Sequence, residues 1–452
     1  MFNSAEVRAL LALSFLYATR MLGLFMVLPV FALYADNYAG GTAVLVGLAL
    51  GIYGLTQGVL QIPFGLLSDR IGRKPVIAGG MIVFLAGSVL CALAETGFMI
   101  VLGRALQGAG AIAGVIMALL SDVTREQNRT RAMAAVGGSI GLAFIVAMIT
   151  GPVVAQHWGM DGVFWLTSAL AALGLAVVLV AVPSPRVNHR GHEVIAVPAM
   201  LGRIMRDGQL WRLNLGIFSL HFAQMATWVS VPLVLEQVLD FERAKHWSLY
   251  LSTMVAGFVL MLPLIWYGES RRKMKPVFLL AVSLLAVAEL VMAGTGTSFR
   301  QMAFGLLLFF TAFNLLEASL PSLVSKMAPA GIKGTAMGVY STSQFLGAFS
   351  GGVAGGLVAH FTGYAGVFWL SLAVVLLWLA VAATMARPRN LRSVVVDLSP
   401  RSAVDASQWA QRFEGVEDVV VIPGENLAYV KVDDEYFNQQ AFQQSLGGVE
   451  VR

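Results

Sequence analysis

Ionisable and amide side chains break into apolar stretches of this sequence at a few places only. Arg20 stands in one such stretch, Arg104 with Gln107 in a second, His221 with Gln224 and Trp228 in a third, and Asn314 with Glu317 in a fourth. Spacings of three and four residues keep each group on one face of a helix. In apolar surroundings a carboxyl group or an imidazole takes up and releases a proton near neutral pH, and a neighbouring arginine favours the charged carboxylate. The chemistry on offer is therefore reversible protonation. Glu317 is the leading candidate to carry the proton, with Arg20, Arg104 and His221 as coupling groups and Glu289 as a rival carrier. Tyr53, Gln57 and Gln61 recur at every fourth position, as do Tyr340 and Gln344. Together with Gln107, Gln224, Trp228 and Asn314 they are candidates to line a cavity for a small, partly apolar solute. A polar seam between packed helices is the other reading of the same stripes.

Chemistry that makes or breaks bonds has no comparable support. The phosphate-binding pattern Gly-x-x-x-x-Gly-Lys-Ser/Thr is absent, and the six histidines are scattered without the spacing of a metal site. Cys91 is the single cysteine, so neither an internal disulfide nor a cysteine metal cluster can form. No catalytic residue, metal or cofactor is expected.

The elements that position these groups follow from composition. Of 452 residues, 58% are hydrophobic and 12% charged, against about 25% charged in soluble domains. A soluble globule of this size is excluded. Twelve apolar runs span residues 8–34, 44–67, 75–94, 98–121, 133–156, 162–182, 210–235, 246–267, 276–295, 300–323, 334–358 and 364–386, each long enough to cross a bilayer. The first is too long for a signal-peptide core and reads as an uncleaved helix. The net charge of +5 does not indicate a nucleic-acid partner. Residues 393–452 carry ten acids against four bases, and the bases of the preceding part recur in every second loop. That is the positive-inside pattern, which places both termini in the cytoplasm.

The chain also repeats itself. Val154 and Ala155, followed by residues 162–166, recur 204 positions later as Val358, Ala359 and residues 366–370; Lys74, Pro75 and Val76 recur 201 positions later as Lys275, Pro276 and Val277. The expected organisation is a six-helix half over 1–182, a cytoplasmic linker over 183–209, a second six-helix half over 210–386 and a small domain over 393–452. Duplicated halves around a central axis place a solute site where the halves meet. The helices carrying Arg20, Arg104, His221 and Glu317 are then spans one, four, seven and ten, one from each three-helix unit.

After the second span stand Gly65, Asp69, Arg70, Gly72, Arg73 and Lys74 at the spacing of a motif that resembles motif A of the major facilitator superfamily. Arg104, Gln107, Gly108, Gly110 and Ala111 resemble the family's motif B, and residues 23–29 its motif D. Motif C, associated with antiporters, is partial: Gly138, Gly151 and Pro152 are present, but Ala147 replaces a glycine and Ala155-Gln156 the terminal pair. The resemblance implies a monomeric, lipid-embedded secondary transporter of the bacterial inner membrane that works by alternating access on a proton gradient, of the proton-coupled drug-efflux type. Proton-coupled uptake, and a sensor that signals through the C-terminal domain, are the alternatives. It also implies a conformational latch, in which Asp69 faces the start of the eleventh helix near residues 331–335 and Arg73 reaches Asp122.

Beyond residue 392 the pattern turns to strand, helix, strand, strand, helix over 393–398, 403–413, 416–422, 427–432 and 438–446, with a last strand over 449–452. This order resembles a ferredoxin-like α+β domain. Its first loop carries Ser399, Pro400, Arg401 and Ser402 where the metal-binding version needs two cysteines. Such an acidic domain would dock on the protein's own basic loops or on an unknown partner, respond to pH or ionic strength, or simply present a solvated surface. The fold class expected overall is all-α and polytopic, with twelve transmembrane helices in two halves plus this small domain.

Overall fold

The computed structural model describes residues 2–182, 201–294, 298–328, 333–386, 391–397, 413–421, 427–433 and 436–445. Helix α1 (Ser4–Val27) opens with a capping box in which Glu6 N donates to Asn3 Oδ1 at 2.7 Å and Asn3 N to Glu6 Oε2 at 2.9 Å. The carboxylate that completes the cap also receives Arg125 Nε and Arg125 NH2, each at 3.0 Å. The start of α1 is thereby tied to a loop more than a hundred residues away, and the carboxylate holds the Arg125 guanidinium above its usual range.

A 3-10 turn (Phe31–Asn37) leads to α2 (Ala43–Ile71) and α3 (Arg73–Ala92). The fourth span is two helices, α4 (Gly97–Ala109) and α5 (Ala113–Val123), interrupted at Gly110. There the chain crosses α3 so closely that a Cβ on Gly110 would lie 2.5 Å from Gly80 O. Spans five and six form one continuous element, α6 (Glu126–Val180), bent at Gly159, whose φ of +66° a side chain would disfavour. In the second half, α8 (Gly208–Leu233) follows a short α7 (Leu201–Arg206), and α9 (His246–Ser270), α10 (Met274–Ala293), α11 (Phe299–Met327), α12 (Lys333–Thr362) and α13 (Tyr364–Ala383) complete the set. Eleven helices among the described residues are long and apolar enough to cross a membrane, and the bend at Gly159 makes twelve spans of them.

The internal repeat is a repeat of backbone devices. Gly363, 204 positions after Gly159, takes the same left-handed region, φ +79°, between α12 and α13. Lys74 Nζ donates at 3.0 Å to Leu179 O and Val182 O at the end of α6, and Lys275 Nζ donates at 3.0 Å to Ala383 O at the end of α13. Each lysine satisfies carbonyls that the last turn of a helix leaves free, where positive charge is also favoured by the helix dipole.

Helix α12 is wedged between α2 and α8. Its glycines fall on two faces: Gly347, Gly351 and Gly355 meet the backbone of Phe218, Phe222 and Ala226 on α8, while Gly352 and Gly356 meet Gly47 and Ala43 on α2. Facing them, α2 offers Gly47, Gly51, Gly54 and Gly58. The separation then grows along α2. A Cβ would lie 2.7 Å from Phe349 O at Gly51 and from Phe345 O at Gly54, and 3.2 Å from Phe345 Cβ at Gly58; at Gly65 it would meet nothing within 4 Å. Gly338 on α12 and Gly137, Gly138 and Gly141 on α6 are equally open. The two halves are closed at one end and spread at the end that carries Asp69. At the closed end Arg243, held by Glu236 at 2.7 and 2.9 Å, lies 4.8 Å above the ring of Tyr34, whose hydroxyl donates to Ala155 O at 2.8 Å.

The small domain holds β1 (Leu391–Asp397), β2 (Val416–Val421) and β3 (Leu427–Asp433) in one sheet of order β1-β3-β2, both pairings antiparallel, with α14 (Gln439–Ser445) packed on it through Phe442. Val394, Val396, Val430 and Val432 form its core. The helix expected over 403–413 falls almost wholly outside the described residues, as do the last strand and residues 183–200 of the linker. From β3 the buried Lys431 donates to Ala328 O at the end of α11, at 2.6 Å.

The glycine contacts make a stability prediction. Gly51→Ala should lower stability by about 1–3 kcal/mol, because backbone atoms of α12 cannot yield. Gly65→Ala, in open space, should be neutral or stabilising by up to about 1 kcal/mol through helix propensity. Thermal unfolding of the two purified variants checks the contrast.

Candidate functional site

At the spread end α2 terminates at Gly72, whose φ of +98° turns the chain directly into α3. Arg73 at the start of α3 then points between two helices. Its NH1 donates to Ser68 Oγ at 2.6 Å and pairs with Asp69, while its Nε donates to Asp122 Oδ2 on α5 at 3.2 Å. One arginine thus bridges the carboxylates of α2 and α5 inside the first half. Arg70 is exposed. The segment facing Asp69 in the expected latch, residues 331–335, is partly outside the described residues; Asp69 is here engaged with Arg73 in its own half, and Gly65 touches no helix of the other half. Lys74 is occupied by the end of α6 rather than by the latch.

Deeper in the first half Arg20 and Arg104 converge on Tyr53. Arg20 NH2 donates to Gln57 Oε1 at 2.8 Å; Arg104 NH1 donates to Gln107 Oε1 at 2.8 Å and Nε to Ala49 O at 3.2 Å; Gln107 Nε2 donates in turn to Ser88 Oγ at 2.9 Å. Both guanidiniums lie against the Tyr53 ring, at 6.0 and 5.0 Å. Gln61 continues the stripe toward the spread end, where it is half-buried.

In the second half α8, α11 and α12 bring His221, Glu317 and Gln344 together. His221 Nδ1 lies 3.3 Å from Ile217 O and Nε2 lies 2.8 Å from Gln344 Nε2, which also donates to Glu317 Oε1 at 3.4 Å. This pattern requires the imidazole proton on Nδ1, leaving Nε2 to accept from the amide. Glu317 Oε2 stands 3.9 Å from His221 Nε2 and has no hydrogen-bond partner. The side chain as a whole is 39% exposed, although Oε2 itself is buried. Asn314 is half-buried one turn away, and Tyr340 is buried one turn from Gln344.

The expected partnership of Glu317 with Arg20 or Arg104 is absent from this conformation. Both arginines are committed to acceptors within the first half, and the neighbours of Glu317 come from its own half. Tyr53, Gln57, Gln107, Gln224 and Trp228 are buried rather than cavity-lining here. For Trp228 the reason is aromatic packing: its ring meets Tyr250 edge-on at 5.2 Å and Phe310 at 6.4 Å. Glu289 is wholly buried and accepts from Thr227 Oγ1 at 3.1 Å, away from the open space. Three features escaped sequence reasoning. The Asn3-x-x-Glu6 capping box was visible as a pattern, and so were the four-residue glycine spacings of α2 and α12; the Tyr34–Arg243 contact had no local signal.

Comparison with known proteins agrees with this architecture. The family model Major Facilitator Superfamily matches residues 13–352. The inner membrane transport protein YajR of Escherichia coli (strain K12) is 45% identical over 445 residues, 98% of this chain and 97% of that protein. The multidrug resistance protein MdtH of Aeromonas salmonicida (strain A449) is 28% identical over 359 residues, 77% of this chain and 87% of that one. Among solved structures, a bacterial homolog of the human lysosomal transporter Spinster shares the fold, with a TM-score of 0.67 at 14% identity over 85% of this chain and 96% of that one. The chain belongs to the major facilitator superfamily: it is a multi-pass membrane transporter and not an enzyme.

Proposed function

We propose that this transporter is a proton-coupled exporter of small amphipathic solutes, working by alternating access with both termini in the cytoplasm. The observation that carries the reading is Glu317, a part-exposed carboxylate within a membrane-crossing helix of a molecule whose two halves are closed at one end and spread at the other. A carboxyl group in that place is protonated from one side of the membrane and discharged to the other as the spread end changes. On the positive-inside distribution of basic loops the spread end faces the cytoplasm. The multidrug relative supports an amphipathic solute class.

Proton release has a route in the geometry. Glu317 Oε2 lies 3.9 Å from His221 Nε2, whose lone pair accepts from Gln344 in this conformation, so a proton would pass only once Gln344 lets go and α8 and α11 approach to bonding distance. Gln344 touches both groups from α12, the helix that also packs on the first half. Each change of charge on the pair therefore pulls on the helix that joins the halves.

Closure of the spread end would bring the start of α12 against α2. A helix N-terminus favours an anion there by about 0.3–1 kcal/mol when exposed, and Asp69 is the anion. The small domain would act on the same connection, since Lys431 holds the end of α11 just before the segment that leads into α12. Its order β1-β3-β2, in which β1 and β2 flank β3, needs a crossover between the first two strands and supports a ferredoxin-like arrangement.

In liposomes with an imposed pH gradient, Glu317→Gln should abolish solute-driven proton flux while solute binding persists; normal coupled flux in this variant would reject Glu317 as the carrier. Asp69→Asn should leave insertion and stability intact and populate the cytoplasm-open state further. Faster labelling of cysteines placed on the open faces of α2 and α12 would report that shift, and unchanged labelling would count against the latch.

A further inference from the structure

Proton carriage by Glu317 leaves two charges of the first half without a task. Arg20 and Arg104 are each 1% exposed in membrane-crossing helices, and the ion pairs formed among the described residues all lie elsewhere. A guanidinium cannot shed its proton to escape burial. An unpaired charge at this depth is costly, and amide or aromatic neighbours compensate it only in part.

The unused hydrogen-bonding capacity is concentrated in the same neighbourhood. Arg20 Nε and NH1, Arg104 NH2, Tyr53 OH and Gln57 Nε2 have no partner. Four of the five are donors only and the Tyr53 hydroxyl can also donate, around one tyrosine ring that both guanidiniums face at 6.0 and 5.0 Å; Phe84 covers Arg20 from another side at 5.7 Å. Two permanent positive charges, five free donors and no negative charge describe a site for an anion. We infer that the Arg20–Tyr53–Arg104 cluster binds a small anionic group, either the carboxylate of a transported solute or a free inorganic anion. The forked donors of arginine suit a carboxylate. The polar stripe of α2 marks the approach: Gln61 is half-buried toward the spread end, beside Gly114, and Gln57 stands between it and Arg20. An entering anion would take over Arg20 from Gln57.

The site is separate from the Glu317 network, and it is tested at equilibrium, so it stands or falls independently of proton-coupled flux. The full-length protein in detergent is titrated with sodium chloride, sodium acetate or sodium benzoate, with ionic strength held constant by sodium gluconate. Thermal unfolding and titration calorimetry are both read. Saturable stabilisation beyond gluconate is expected. Chloride as the active salt assigns a free inorganic anion, and acetate or benzoate assigns a solute carboxylate. Arg20→Gln and Arg104→Gln should each weaken binding about 10-fold or more, the effect of losing a charge-assisted hydrogen bond. Tyr53→Phe keeps both charges and the ring, and it should weaken binding several-fold even if an arginine variant does not fold. Equal midpoints in all four salts would overturn the site, as would full affinity in Tyr53→Phe together with either arginine variant that folds.

Discussion

The backbone-to-backbone packing of α12 between α2 and α8 is the contact on which the remaining structure depends. Lipid tails are as apolar as leucine, so helices in a bilayer gain nothing from hiding apolar side chains against each other; close approach through small residues is what holds them. Gly47, Gly51 and Gly54 against residues 345–356, and Gly347, Gly351 and Gly355 against α8, supply that approach at one end of the molecule only. Toward Gly65 and Gly338 no such approach is made among the described residues. A helix gripped at one end and free at the other can swing, and the polar groups whose neighbourhood would change, Tyr340 and Gln344, lie on its free side.

The duplicated halves use this frame for opposite electrostatics. Lys74 and Lys275 do the same work, each capping the last helix of its half. At the offset of 201 that aligns those lysines, Arg20 falls on His221. A permanent cation in one half thus matches a titratable ring in the other. The first half holds buried charge that cannot be neutralised by loss of a proton, while the second holds a carboxylate that becomes neutral by taking one up and an imidazole that becomes charged by doing so. The proposed proton coupling then requires no direct contact between Glu317 and an arginine. It requires that α12, which touches both halves, respond to the charge of the titratable pair.

Much of the membrane fold was legible because the bilayer imposes simple constraints. Run length, charge alternation and the two-register repeat located the spans, and the bend at Gly159 reappears at Gly363 because the repeat preserves a backbone need rather than a side chain. The site was legible only as a set of residues. Which face of α12 meets α2, and which meets α8, depends on glycines one position apart, Gly351 and Gly352, and spacing alone cannot assign them. Arg20 and Arg104 read as coupling groups for Glu317 because a midspan charge needs a partner or a cavity; the structure instead buries both against Tyr53. Lys74 read as part of the latch because it adjoins Arg73, yet one residue along a helix turns the side chain about a quarter of the way round the axis, toward the end of α6.

The central claim is that protonation of the Glu317–His221 pair governs the spread of the end that carries Asp69. Distances between spin labels at Arg70 and Arg271, on exposed turns of the two halves, measure that spread directly, and the buried Cys91 leaves the background unlabelled. The account predicts a distance distribution that shifts between acidic and alkaline pH in the otherwise native protein and is insensitive to pH in Glu317→Gln. Identical distributions at both pH values, or the same pH shift in Glu317→Gln, would contradict it.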